Sequence, residues 1–126
     1  MGPVYLFDLA ARHAQWLAVR QSAIAGNVAN ANTPSYQAKD VKPFEEIVDK
    51  TQLAMAASDP RHIQTAAIDI AAATGRGPSG RGLSPSGNSV SLEQEMIEAG
   101  EVSRDFALNT SVVKSFHRML MSCVRV

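Results

Sequence analysis

The sequence predicts a mainly α protein: long N- and C-terminal helices paired as a coiled coil, with an irregular, partly extended middle and a flexible Gly/Ser/Pro loop. Three observations lead there. A heptad seam runs through the first quarter of the chain, a second runs through the last quarter, and residues 75–88 contain almost nothing a core would bury. At 126 residues the chain is expected to be one elongated domain, 1–126. Aromatic residues make up only 6 % and alanine is abundant, so helices approach closely around a thin core.

The first helix is expected over 4–32. Phe7, Ala10, Ala14, Leu17, Gln21, Ile24, Val28 and Ala31 recur at alternating intervals of 3 and 4, which is the period of a helix-packing seam. Leu9 and Trp16 widen its apolar face. At the far end stands "NVANANTPSYQ", residues 27–37. Pro34 pushes Thr33 out of the helical region, so the helix cannot continue. Asn32 suits the left-handed conformation that helix ends often adopt. Asn27 and Asn30 are harder to place, because asparagine inside a helix costs about half a kcal/mol against alanine. Their amides are expected to bond either across subunits or to the 33–36 turn.

The second long helix is expected over 91–124. Leu92, Glu95, Ala99, Val102, Phe106, Asn109, Val113, Phe116, Leu120 and Cys123 alternate by 3 and 4, and eight of these ten are apolar. Ser91 with Gln94 has the spacing of a capping box. Glutamates crowd the first turns while Lys114, Arg118 and Arg125 come late, an order that suits the helix dipole. The polar seam members Gln21 and Asn109 either fix the register of the pair or face solvent where the seam loosens.

Between the helices, 33–90 is expected to hold a turn, extended segments and the loop. Residues 36–44 alternate imperfectly and contain Pro43, as an edge strand does. A short helix fits 44–58, a turn fits 59–63, and 65–74 is ambiguous between strand and helix. Ten of the fourteen residues at 75–88 are Gly, Pro or Ser, so ordering them gains little burial.

Chemistry is hard to find. Gly75, Gly77 and Gly80 match the spacing of a dinucleotide loop, but Gly82 and Pro85 follow where a helix would have to open. No two of His13, His62 and His117 are four residues apart, and adjacent Glu45 and Glu46 diverge on a helix. The expectation is no catalytic residue, no metal and no cofactor. Balanced charge, 12 basic against 12 acidic residues, argues against nucleic acid as a partner. A single cysteine, Cys123, allows no internal disulfide. The first residues lack the basic and apolar regions of a cleaved secretory signal.

The stretch 21–44, "QSAIAGNVANANTPSYQAKDVKPF", carries a resemblance. Asn27, Val28, Ala29, Asn30, Thr33, Pro34 and Tyr36 resemble the N-terminal motif of the flagellar rod and hook family. Residues 38–40 and Phe44, the turn at 59–63 and the stretch 89–120 are similar to the proximal rod branch nearest the inner-membrane ring. The chain departs from that pattern at Ser35, where the family usually has glycine. Glycine permits a type II turn, and serine makes a type I turn the expectation.

The resemblance implies a structural subunit of the basal-body rod that polymerises into the motor's drive-shaft and lines the export channel. It implies export by the flagellar type III apparatus without a cleaved signal, and assembly in the periplasm. The implied partners are other rod proteins, copies of the chain itself, a small adaptor at the rod base and the inner-membrane ring. Asn27, Asn30, Asn32, Thr33, Pro34 and Tyr36 are then the assembly motif. Phe7, Leu17, Ile24, Val28, Val102, Phe106, Asn109, Val113, Phe116 and Leu120 are the helix-packing seam. Helices completed by neighbours would be poorly ordered at their ends in the free chain. The competing reading is a stand-alone helical-hairpin adaptor for a partner helix.

Overall fold

A computed structural model describes residues 3–51, 74–76 and 85–124, with side chains over 5–48 and 85–124. The elements follow as α1 (Pro3–Ala29), β1 (Lys39–Val41), α2 (Phe44–Thr51), β2 (Thr74–Arg76) and α3 (Leu92–Val124). The protein is mainly helical, and its two long helices form an antiparallel hairpin. Cross-contacts set the direction: Asn27 meets Glu95, Arg20 meets Glu98, the Ala10 carbonyl meets Asn109, and Phe7 meets Phe116.

The core lies where α1, the first half of α3, β1 and α2 converge. Trp16, Leu17, Ile24, Val41, Ile47 and Val102 are buried there, with Val19, Ala23, Phe44 and Ala99 packed against them. Each large aliphatic side chain of this group contributes about 1.5–3 kcal/mol of burial. Trp16 has a polar tip, and its Nε1 donates to the Lys42 carbonyl at 2.8 Å, which pins the chain entering α2. His13 lies nearly parallel to Trp16 at 5.8 Å and tilted to Phe44 at 4.8 Å. The Arg20 guanidinium sits 5.4 Å from the Trp16 ring centre.

β1 pairs antiparallel with β2, Lys39 opposite Arg76 and Val41 opposite Thr74. The extended segment expected over 36–44 is therefore a three-residue strand, and Pro43 lies just beyond its last ladder position. Gly75 and Arg76 belong to β2, and residues 85–90 dock against the end of α1, so neither end of the expected loop 75–88 is free. Positions 52–73 and 77–84 lie outside the described residues. With them go the end of the expected 44–58 helix, the 59–63 turn, nearly all of 65–74 and the middle of the loop.

The helix limits also differ. α1 ends at Ala29 rather than at 32. Its last turn tightens into i→i+3 bonds: Asn30 N donates to Asn27 O, and Ala31 N to Val28 O. Among the described non-glycine residues only Ser35 has positive φ, so Asn32 does not form the expected left-handed cap. Ser91 precedes α3 as expected, but Gln94 does not close a capping box on it. The Gln94 amide donates to Glu98 Oε1 at 3.1 Å instead.

Candidate assembly site

The asparagine motif forms a polar knot at the closed end of the hairpin. Asn27 is buried on α1 and faces β1. Its Nδ2 donates to the Lys39 carbonyl at 2.8 Å, and its Oδ1 accepts from Lys39 N at 2.9 Å. The carboxamide thus imitates a neighbouring strand residue and holds β1 to the helix. Nδ2 also lies 3.1 Å from both carboxylate oxygens of Glu95, which is fully buried on α3. Tyr36 Oη donates to Asn27 Oδ1 at 3.4 Å. Burying an amide without partners costs about 1–3 kcal/mol in proteins, and these bonds offset that cost.

Asn30 works locally. Its Nδ2 donates to the Gly26 carbonyl at 2.8 Å, and its Oδ1 accepts from Thr33 Oγ1 at 3.2 Å. Both amides therefore engage the 33–36 turn within one chain. Tyr36 N donates to Thr33 O at 3.3 Å, closing a turn with Pro34 and Ser35 at its centre. Ser35 has φ 60°, so the turn is type II and not the type I expected of serine. The reason lies in what the turn joins: Ser35 N donates to Ser86 O, and Ser89 N donates to Tyr36 O. Ala38 N donates to Ser89 Oγ at 2.8 Å, extending this contact toward β1. Asn32, Thr33 and Pro34 are exposed.

Asn88 completes the knot, and sequence reasoning missed it. It is buried, with Nδ2 2.9, 2.9 and 2.8 Å from the carbonyls of Asn30, Ala31 and Thr33. Two of these oxygens also accept backbone bonds, Asn30 O from Thr33 N and Thr33 O from Tyr36 N, and the amide of a side chain 58 residues away joins them to cap the end of α1. Its Oδ1 accepts from Val90 N, which turns the chain toward α3. An asparagine next to Gly87 reads only as a turn former, and no local pattern announces its target.

The packing seam is placed less evenly. Leu17, Ile24 and Val102 are buried; Phe7, Val113, Phe116 and Leu120 are partly buried. Phe7 and Phe116 meet edge to face at 5.7 Å. Asn109 Nδ2 donates across the hairpin to the Ala10 carbonyl at 3.0 Å, whereas Gln21 faces solvent. Val28 is 43 % exposed and Phe106 52 %, so neither is a packed seam member in the single chain. Asn27 takes the inward position beside Val28, and one residue is about 100° around a helix. Leu92 and Cys123, at the two ends of the C-terminal seam, are exposed as well.

A second feature is the apolar surface that the hairpin leaves uncovered. Met96, Ile97, Leu108, Val112, Met119 and Met121 on α3 are all exposed. Exposed apolar area of this extent along one helix marks a surface made to meet other molecules. Among the described residues no three His, Cys, Asp or Glu side chains gather as metal ligands, and no helix is long and apolar enough to cross a membrane.

A helical hairpin with a thin core, a polar knot at one end and an uncovered apolar helix face defines a structural, assembly-type subunit. The comparison with known proteins specifies which. The chain is 46 % identical over 129 residues to the flagellar basal body rod protein FlgB of Agrobacterium fabrum (strain C58 / ATCC 33970), covering 99 % of this chain and 96 % of the relative. It belongs to the FlgB family of flagellar basal-body rod proteins. No protein-family model matches the chain.

Proposed function

We infer that this chain is a structural subunit of the flagellar basal-body rod and associates there with other rod components. The observation that carries this reading is near-full-length identity to a basal body rod protein. The uncovered face of α3 supports it, because a hairpin that is to be built into a larger assembly needs surface left to bury. A heterologous contact whose rotation does not close generates a helical polymer, which is the geometry of a rod.

In finer detail, the chain polymerises with copies of itself and with other rod proteins at the proximal end. There it meets a small adaptor and the inner-membrane ring and contributes to the wall of the export channel. It reaches the periplasm through the flagellar export apparatus, without a cleaved signal. Asn27, Asn30, Thr33, Pro34 and Tyr36 serve this role by building the knot that fixes the closed end of the hairpin. Asn32 and the exposed turn residues are left facing outward for neighbours. The function is mechanical and requires no reaction. A stand-alone adaptor for one partner helix is not favoured, since the relative is a rod protein over essentially its whole length.

Deleting the gene tests the reading. The expected strain lacks flagella and motility, retains the inner-membrane ring, and regains the rod when the gene is restored. Normal flagella in the deletion strain would overturn it.

A further inference from the structure

The second half of α3 carries a packing stripe that the hairpin does not use. Leu108, Val112, Ser115, Met119 and Ser122 recur at intervals of 4, 3, 4 and 3, the period of a surface that buries against another helix. This stripe is not the one α1 occupies. At about 100° per residue it lies about a third of a turn around α3 from Asn109 and Phe116, which meet α1. Leu108, Val112 and Met119 are exposed. The serines leave room between them, and a groove of about 270 Å³ runs over Ser111, Val112, Ser115, Phe116 and Met119. Every residue lining that groove belongs to α3. One edge of the stripe is basic. Arg118 borders it on the side away from α1, and Lys114 lies one turn earlier on the same edge. Both are exposed, and neither has an ion pair among the described residues. After Asp105 α3 carries no acid, and across the hairpin the single acid of α1, Asp8, is held by Arg12 at 3.0 Å.

We propose that this stripe receives an α-helix of another rod component, apolar along its own seam and acidic along the edge that meets Lys114 and Arg118. The heptad period selects a helix as the occupant, and the unpaired bases select its charge. Opposite charges across such a contact choose partner and register more than they add affinity. A copy of this chain does not meet that description. On α3, Glu95 and Glu98 are buried, Glu101 approaches Arg20 at 3.8 Å, and Asp105 meets Arg104 at 3.5 Å. Glu93 stands alone at the start of the helix, and Glu45 and Glu46 sit on the eight-residue α2, far shorter than the 108–122 stripe. The inference rests on the rod reading and adds the chemistry of the neighbour that covers this part of α3.

Photo-cross-linking in the assembled rod tests it. The photoreactive amino acid p-benzoylphenylalanine replaces Val112 in one strain and Ser115 in a second. Isolated basal bodies are illuminated, and the adducts are mapped by mass spectrometry. The expected adduct joins this chain to a different rod protein, within a helix whose apolar residues are flanked by Asp or Glu. Lys114→Glu with Arg118→Glu is expected to lower the adduct yield per incorporated chain about tenfold, with the helix content of the purified variant unchanged. Lys114→Arg with Arg118→Lys keeps the yield. Lysine in place of the mapped carboxylates of the neighbour restores part of the yield, or of incorporation where the double reversal abolishes it. Adducts to a second copy of this chain, adducts to a segment without carboxylates, a yield indifferent to the reversal, a reversal without rescue, or no adduct at either position would each overturn the proposal. None of those results touches the rod reading, which the deletion strain decides separately.

Discussion

Asn27 joins three parts of the molecule through one carboxamide. It pairs with the Lys39 backbone, faces the Glu95 carboxylate and accepts the Tyr36 hydroxyl. Asn27→Asp keeps the shape but replaces the donor with a carboxylate about 3 Å from Glu95, where like charges repel strongly in a buried setting. Urea unfolding should show a loss of about 3 kcal/mol or more for Asn27→Asp, clearly above the loss for Asn27→Ala. Equal losses would mean that the Glu95 contact is unimportant. Ser35 makes the opposite prediction. It holds φ 60°, a conformation that costs a residue with a Cβ about 1 kcal/mol or more. Ser35→Gly should raise the melting temperature by about 2–5 °C even after the extra chain entropy of glycine is counted. An unchanged or lower melting temperature would show that the turn relaxes at no cost with serine in place. Neither role could be read locally. The motif announced that 27–36 mattered, but the φ of Ser35 is set by its bond to Ser86, fifty-one positions on. Asn88 likewise acts at a distance that no sequence period encodes.

The two long helices were legible because their packing is periodic. Leu17, Ile24 and Val102 recur at the spacing that a helix pair buries, and Pro34 states where α1 has to stop. The seam failed where a polar contact displaced an apolar one: Asn27 turns inward to Lys39 and Glu95, and Val28 is carried outward. Phe106 was legible as apolar but not as uncovered, because periodicity identifies faces without saying how many of them a single chain can cover. Asn109 shows what a polar seam residue does here. Its bond to the Ala10 carbonyl links the helices at one point and penalises any axial slip. Asn109→Leu should leave the hairpin as stable or more so while loosening its register. In a Cys123→Ser background, Phe7→Cys with Phe116→Cys should form a disulfide far more readily than Phe7→Cys with Leu120→Cys, one turn away. Adding Asn109→Leu should bring the two yields close together. A preference that survives Asn109→Leu would place register control elsewhere, in the Asn27–Glu95 contact first.

At the scale of the whole molecule the hairpin is an incomplete object. Its core is confined to one half, where α2 and β1 cover α1 and α3, while the outer face of α3 stays apolar and open. A domain that keeps such a face uncovered has surface whose burial can stabilise an assembly. The family assignment says which assembly: the flagellar rod. The central claim is that the face left open in the single chain is closed by neighbours in the rod. Three methionines report on it directly, since Met96, Met119 and Met121 are 73, 57 and 52 % exposed, and thioether oxidation follows access. Dilute purified protein and isolated basal bodies are to be treated with hydrogen peroxide, and sulfoxide at each position measured by mass spectrometry. The account predicts rapid oxidation of all three in the free chain and at least about tenfold slower oxidation in basal bodies. Equal rates in the two samples would contradict it.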